Sequence, residues 1–496
     1  MKIKLLLVFL IPLLGISQTK IGSNIDGEAQ GNQSGYSVSI SFDGSIVAIG
    51  APHNNGSNGA SSGHVRVYEN ISGVWTQIGD DIDGAAFGNQ SGYSVSLSSD
   101  GSIVAIGAPL YNGNNGTFSG HVRVYENISG VWTQIGNGID GEATDDWSGH
   151  SISLSADGSI VAIGAPDNDG TGNNAGHVRV YKNVSGVWTQ IGNDIDGEAA
   201  GDLSGWSVSL SSDGSIVAVG APRNNGNGNN SGHVRVYENV SGVWTQIGSD
   251  IDGETALDQS GWNVSLSSDG SIVAIGAPRN SGNAKNDSGH VRVYENLSGI
   301  WTQIGNDIDG EAAGDQSGYS VSLSSDGSVV AIGAPRNSGN GSDAGHLRIY
   351  QYISGAWKHV GQDIDGESAG DQNGYSVSIS SDGNTVAVGA PRNGGNGNNS
   401  GHVRVYDLTD IFLDDVSSDK FTKMNFNLYP NPATNVLNIT FKNNLILEKV
   451  IVYNVSGQVI KVTNQNVVDV SMLSKGVYFV KVKTDQGKAT KKVIIK

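Results

Sequence analysis

The chain has 496 residues, of which 72 are glycine, 16% are charged and none is cysteine. This turn-rich, weakly charged composition is unlike the highly charged signature of disorder, and the lack of thiols excludes disulfides, thiolate metal sites and a cysteine nucleophile. The formal charge of −19 argues against nucleic acid as a partner, because phosphate contacts need the opposite sign; it is compatible with cations, with neutral polar ligands, or with solubility alone.

Residues 1–17, MKIKLLLVFLIPLLGIS, set Lys2 and Lys4 before an apolar run from Leu5 to Leu14, with Gly15 and Ser17 as small residues ahead of Gln18. The run is too short to cross a bilayer and a small-x-small site follows it, so it reads as a secretory signal peptide cut before Gln18. No later stretch approaches the roughly 18 consecutive apolar residues of a spanning helix, and no transmembrane segment is expected.

From residue 18 to residue 406 the chain is periodic. Gly-Ala-Pro ends at Pro52, Pro109, Pro166, Pro222, Pro278, Pro335 and Pro391, and a Gly-His-[Val/Leu]-Arg-[Val/Ile]-Tyr segment recurs at His64, His121, His177, His233, His290, His346 and His402. Seven units spaced by 56 or 57 residues mean a closed or stacked repeat architecture. In the fourth unit, Trp206 to Leu210 alternates with period two, as a half-buried strand does. Asp213-Gly214 supplies a tight hairpin turn. Ser215 to Ala221 is a continuous apolar run covered on both faces, ended by Pro222, which has no N–H to give a ladder. His233 to Tyr237 is the third strand, Glu238 to Gly242 a turn, and Val243 to Ile247 the fourth strand.

Four antiparallel strands repeated seven times predict an all-β, seven-bladed β-propeller with four-stranded blades. Tryptophan marks the fourth strand only six times, at Trp75, Trp132, Trp188, Trp244, Trp301 and Trp357, and no seventh copy follows Tyr406. Thr19-Lys20-Ile21-Gly22 matches Thr245-Gln246-Ile247-Gly248, so the N-terminal segment is expected to complete the last blade. The units resemble the FG-GAP family, the propeller repeat of integrin α-subunits, on Gly205-Trp206-Ser207-Val208, Gly220-Ala221-Pro222 and the strand from Gly232 to Tyr237. They depart from it at Ser204, where the family has Phe, and at Ser211-Ser212-Asp213-Gly214, which replaces the family's Asp-rich calcium loop; the resemblance therefore carries the fold and not that calcium site.

Residues 407–424 form an acidic linker, and 425–496 switch to ten lysines against three acids. Alternating strands separated by Gly-Gln, Lys-Gly and Gln-Gly turns predict a small Ig-like β-sandwich. Tyr429-Pro430-Asn431-Pro432, the segment from Tyr453 to Gly457, and Gly476-Val477-Tyr478 resemble the type A C-terminal sorting domain of the Bacteroidetes type IX secretion system. That resemblance implies the type IX machinery as a partner of residues 425–496, passage across the outer membrane after signal-peptide export, and a secreted or surface destination.

Antiparallel strand order puts the 2–3 loops and the 4–1 connections on one side of the propeller, the expected binding face. Its candidate ligand-binding residues are Arg223, Asn224, Asn225 and Asn227, with Arg279, Asn280, Arg336 and Asn337 in later copies. The connections carry four oxygen-bearing side chains each: Asp194, Asp196, Glu198 and Asp202; Asp250, Asp252, Glu254 and Asp258; Asp307, Asp309, Glu311 and Asp315; Asp363, Asp365, Glu367 and Asp371. Clustered carboxylates with flexible glycines suit calcium, although Asp and Gly also merely shape turns, and Asn24, Ala85 and Gly138 break the first three copies. The His233, Arg235 and Tyr237 stripe reads as a polar layer between blades, and Trp244 and its equivalents as packing more than as sugar-stacking faces. Every acid, His or Ser has near-copies in other blades, so no single catalytic constellation stands out. The expected function is a secreted or surface binding or adhesion propeller for an extracellular glycan or protein; the alternative is a polysaccharide-active propeller enzyme.

Overall fold

Each sequence unit becomes an antiparallel sheet in the computed structural model, which describes residues 18–282, 285–412, 426–441, 447–454, 459–484 and 487–496. The signal-peptide reading of residues 1–17 and most of the acidic linker lie outside the described residues. In the fourth unit the strands are Ser207–Leu210, Ile216–Ala221, His233–Val240 and Val243–Gln246, paired in that order. A short segment, Ile251–Asp252, then returns to the third strand, with Val234 opposite Ile251 and His233 opposite Asp252.

Two turns differ from expectation. The first hairpin is longer than an Asp-Gly pair: the Ser211 N–H donates to the Ile216 carbonyl, and the only left-handed residue is Gly214, at φ +69°. Asp213 acts through its carboxylate, which accepts hydrogen bonds from the Ser211 and Ser215 hydroxyls and the Ser215 N–H at 2.7–2.9 Å. The second hairpin is shorter, because the third strand runs on to Val240 and only Ser241 and Gly242 turn, at φ 53° and 88°. These are the two left-handed residues of a type I′ turn, whose twist matches that of the flanking strands.

Seven such sheets form the first unit. Their inner strands, Ser37–Ile40, Ser94–Leu97, Ser151–Leu154, Ser207–Leu210, Asn263–Leu266, Ser320–Leu323 and Ser376–Ile379, each neighbour the next, and the last neighbours the first. The ring is closed, and its blades are numbered in this order. The core lies between blades: Val178 and Val180 of the third blade pack with Val208, Leu210, Val217, Val219 and Tyr237 of the fourth. Gly220 is required by this packing, since a Cβ there would come within 2.1 Å of the Gly261 carbonyl oxygen in the next blade. The indole N–H of Trp244 donates to the Ile191 carbonyl of the preceding blade at 2.8 Å, so the tryptophan of the fourth strand is an inter-blade tie.

The N-terminal segment completes the seventh blade. Thr19 pairs with Asp407 and Lys20 with Tyr406, the Ile21 N–H donates to the Val405 carbonyl at 2.8 Å, and Ile25 lies opposite Val403. Trp75 of the first blade then donates to the Ile21 carbonyl at 2.8 Å, as Trp244 does to Ile191. The propeller extends past the expected end at residue 406, because Leu408 and Ile411 are buried in the core between the sixth and seventh blades. The compact units divide between Leu413 and Asp414.

The second unit consists of two antiparallel sheets. One holds Phe426–Tyr429, Val436–Phe441 and Val467–Asp469; the other holds Val459–Thr463, Leu447–Asn454, Gly476–Thr484 and Gly487–Ile495. Residues of both sheets, including Phe426, Leu437, Ile439, Val450, Val452, Val480 and Val493, share one apolar core, which makes the unit a β-sandwich. Among the described residues no helix is long and apolar enough to cross a membrane.

Candidate functional site

The long loops converge on one face, as expected. Gly232, at the end of the fourth blade's 2–3 loop, bridges in parallel to Ser260 of the following connection, and Asn227 Nδ2 donates to the Gly253 carbonyl at 2.9 Å. Most of the predicted asparagines are consumed in building these loops. Asn224, Asn280 and Asn337 are buried, and their side-chain carbonyls accept the N–H groups of Gly226, Gly282 and Gly339. Asn225 Oδ1 accepts from the Asn230 N–H. Arg223, Arg279 and Arg336 are exposed.

The acidic quartets do not converge as single ligand sets, because each member has a different neighbour. Asp202, Asp258, Asp315 and Asp371 are buried and accept hydrogen bonds from the backbone N–H groups of Ala199, Thr255, Ala312 and Ser368 at 2.8–3.1 Å. Asp194, Asp250 and Asp307 accept from Gln190, Gln246 and Gln303, while Asp363 lies 3.1 Å from His359. Asp196, Asp252 and Asp309 sit opposite His177, His233 and His290 in short paired segments, and Asp365 sits opposite His346 at the end of the continuous strand Ala356–Asp365. Burial, together with the adjacent Asp194, Asp250 and Asp363, raises the carboxyls of Asp196, Asp252 and Asp365 respectively.

The groups that do meet join successive connections across the buried histidine: Glu198, His233 and Asp250; Glu254, His290 and Asp307; Glu311, His346 and Asp363; with Glu142, His177 and Asp194 and Glu28, His64 and Asp81 in earlier blades. Glu367 meets His402 and Asn24 instead. Each of Glu198, Glu254 and Glu311 already has an arginine within 3.5–3.8 Å, Arg235, Arg292 and Arg348. Burial pushes His177, His233, His290 and His346 down to about 4, so these imidazoles are neutral. Two carboxylates, one nitrogen and a neighbouring guanidinium are a poor match for calcium, a hard cation that takes about 6–8 oxygen ligands. The stripe is a polar layer between blades: the Arg235 guanidinium also donates to the Asp196 carbonyl at 2.7 Å and lies over the Tyr237 ring.

Sequence reasoning missed a second feature of the same face. The residue opening each inner strand, Tyr36, Tyr93, His150, Trp206, Trp262, Tyr319 and Tyr375, touches its neighbour in the next blade, with ring centroids 4.4–5.6 Å apart and the circle closed from Tyr375 to Tyr36 at 4.9 Å. This aromatic collar lines an axial cavity of about 240 Å³ with the residue that follows it, serine in six blades and Asn263 in the fifth. Its signal was visible as an aromatic residue, Tyr, His or Trp, after a glycine in every unit, before Ser-Val in five of them, but it was absorbed into the strand's alternation. His150 is the collar's one imidazole. Its Nδ1 faces the Trp206 carbonyl at 3.1 Å and therefore carries the proton, leaving Nε2 to accept from the Tyr93 hydroxyl at 3.3 Å. Burial pushes His150 down to about 4 and raises the Tyr36, Tyr93, Tyr319 and Tyr375 hydroxyls, so all five stay neutral at pH 7.

Two family models match the chain. The FG-GAP repeat model matches residues 195–237, 308–350 and 364–406, and the secretion system C-terminal sorting domain model matches 427–496. The chain combines FG-GAP repeats with a secretion sorting domain. The FG-GAP matches begin at Ile195 and Ile308, in short outer segments, and at Ile364, near the end of the strand Ala356–Asp365, and finish at Tyr237, Tyr350 and Tyr406 in the third strand of the next blade. Each FG-GAP repeat therefore spans a blade boundary, and includes the collar residue and the Gly-Ala-Pro turn. The sorting domain directs type IX export, to the cell surface or beyond it.

Similar solved structures include a protein described as a 6-phosphogluconolactonase from Bacteroides uniformis, at 13% identity and a TM-score of 0.49, covering 69% of this chain and 88% of that one. Kuenenia stuttgartiensis hydrazine synthase matches at 13% identity and a TM-score of 0.47, covering 75% and 94%. The periplasmic gluconolactonase of Pseudomonas aeruginosa matches at 16% identity and a TM-score of 0.47, covering 90% and 98%. No curated protein matches the chain.

Proposed function

We propose that the propeller is a binding or adhesion module that the sorting domain delivers to the outside of the cell, and that it holds an extracellular glycan or protein through the face of the 2–3 loops and 4–1 connections. The observation that carries this reading is the aromatic collar around the axial cavity, which opens among those loops. Aromatic rings supply large, stiff contact area with geometric preference, and rigid scaffolds present ligands to such loop clusters. The histidine and carboxylate clusters support it indirectly: they recur in five blades with the same partners, as scaffold does and as a reacting centre does not.

One observation favours the second reading, a polysaccharide-active enzyme. His150 breaks the collar's series of tyrosines and tryptophans, and its Nε2 accepts from Tyr93, a pair that could pass a proton. An array of glycans and matrix proteins, probed with the full chain with and without calcium and scored for both retention and product release, separates the two. Retention without turnover, weakened by Trp206→Ala, is the expected result. Turnover abolished by His150→Ala alone would replace binding with catalysis, and retention indifferent to the collar would remove the proposed site.

A further inference from the structure

In three blades the residue after the Gly-Ala-Pro turn stands beside the collar. In the first blade it is His53, whose ring meets Tyr36 edge-on at 6.5 Å; in the sixth and seventh it is Arg336 and Arg392, whose charges both act on the Tyr319 hydroxyl. Read round the ring, this position is His53, Leu110, Asp167, Arg223, Arg279, Arg336 and Arg392. By the repeat, four arginines in consecutive blades fall at equivalent places, an arc on one side of the mouth. All four are exposed, and among the described residues none is in an ion pair. The charge of Arg223 acts on Asp167, which leaves Arg279, Arg336 and Arg392 for an anionic ligand.

This arc runs against the character of the molecule. The chain has 48 acids and 29 Lys and Arg, and in six of the seven blades the arginine repeated in the third strand is spent inside, on the carbonyls of Asp26, Asp83, Asp140, Asp196, Asp252 and Asp365, while Arg348 of the sixth pairs with Glu311 and Asp363. Exposed guanidiniums gathered at one mouth of an acidic body focus positive potential there, and they suit planar oxyanions, which they hold through paired hydrogen bonds. The collar beneath the start of the arc carries both of its indoles, Trp206 and Trp262, 4.8 Å apart, and flat indole faces suit the C–H face of a sugar ring. The cavity of about 240 Å³ is smaller than the roughly 300–1,000 Å³ of pockets for drug-sized ligands, which fits one ring and not an enclosed chain.

Taking the binding reading above as its premise, we propose that the mouth recognises a sugar ring bearing an anionic group, a carboxylate or a sulfate ester, with the ring on the tryptophan side of the collar and the charge on Arg279, Arg336 and Arg392. Asp167, across the mouth, repels the same charge and so fixes the orientation.

Isothermal titration of the full chain with four probes tests this: trigalacturonate, its methyl ester, a sulfated galactose trisaccharide, and neutral galactotriose. The acidic probes should bind more tightly than the ester and the neutral sugar by on the order of tenfold or more, with the preference falling as salt rises. Comparison of the carboxylate and sulfate arms assigns the oxyanion. The Arg279→Gln/Arg336→Gln double variant should lose that preference at an unchanged melting temperature, while Lys182→Gln, remote in the third strand of its blade, should keep it. Equal binding of trigalacturonate and its ester, or an unaltered preference in the double variant, overturns the inference. If Trp206→Ala still abolishes binding in that case, the binding reading stands without the anion; if no probe binds, the inference falls and the protein arm of the array alone decides the binding reading.

Discussion

Acid should destabilise this propeller well above the pH at which its carboxylates titrate. His150, His177, His233, His290 and His346 are each pushed down by burial to about 4, whereas an imidazole in the unfolded chain titrates near about 6.5. As the pH falls the unfolded chain therefore takes up protons first. The stability tied to each histidine is fully present above about pH 6.5 and is lost as the pH falls toward about 4. A gap of about 2.5 units at about 1.4 kcal/mol per unit gives roughly 3 kcal/mol per histidine, of which about 2 kcal/mol is gone by about pH 5. The five should not contribute equally. A protonated His233 lies 3.5 Å from Asp250 and 3.9 Å from Glu198, which offset part of the penalty; His150 has only a carbonyl and a tyrosine hydroxyl. Urea denaturation at constant ionic strength between about pH 7.5 and 5 reads the slope before the carboxyls enter. The unfolding free energy should fall continuously across that window, and His150→Phe, which keeps the collar aromatic, should remove close to one proton's worth of the slope. A free energy that stays level or rises on acidification, or an unchanged slope in His150→Phe, would refute the assignment of these histidines as buried and neutral.

Trp75→Phe should cost about 1 kcal/mol by leaving the Ile21 carbonyl without its indole donor, and Trp244→Phe should cost the same; a markedly larger loss for Trp75 in thermal melts would mean that the N-terminal closure is weaker than the other blade junctions. Gly220→Ala should abolish or severely lower expression of folded protein, since its Cβ would sit 2.1 Å from the Gly261 oxygen, while Gly242→Ala, with nothing within 4 Å, should lower stability by only about 1 kcal/mol from its left-handed backbone. Deleting residues 425–496 should leave the propeller in the periplasm, as fractionation and surface labelling would report; unchanged surface delivery would contradict the role of the sorting domain.

The fold was legible because each blade repeats its packing problem. The apolar run from Ile216 to Ala221 reads as a strand covered on both sides, and it is one; the missing seventh tryptophan pointed to Thr19-Lys20-Ile21, which does pair with the strand ending at Asp407. Turn details were less legible, since the side chain of Asp213 bonds its neighbours where the dipeptide alone suggested a two-residue turn. The candidate site was legible only in part. The face was predictable from strand order, and Arg223, Arg279 and Arg336 are exposed on it, but Asn224, Asn280 and Asn337 look like ligand-seeking amides in sequence and are in fact loop struts. The acidic quartets misled for a related reason: carboxylates close in sequence are divided by the chain path, so that Glu198 meets His233 and Asp250 and not Asp194 and Asp202. The collar requires seven residues about 56 apart to be seen on one circle, which only ring closure provides.

A sevenfold scaffold also makes it possible to separate support from function inside one chain. Positions identical in all blades answer a demand that every blade shares, and the third-strand histidine and arginine, and the close-approach glycine at Gly220, are of this kind. A ligand that is not itself sevenfold symmetric must be held by positions where the copies differ. The collar varies among Tyr, His and Trp, and the position after the proline runs from His53 through Leu110 and Asp167 to four arginines. Both varying positions lie at the same mouth of the ring, though nothing in blade packing requires them to vary together there. Exchanging Asp167 and Arg336 by the double substitution Asp167→Arg/Arg336→Asp keeps the composition and net charge while moving the arc's centre. If the arc orients the ligand, binding of an acidic trisaccharide should fall on the order of tenfold or more although melting temperature and total charge do not change; an equal affinity would mean that net positive charge at the mouth, and not its placement, is what the ligand reads.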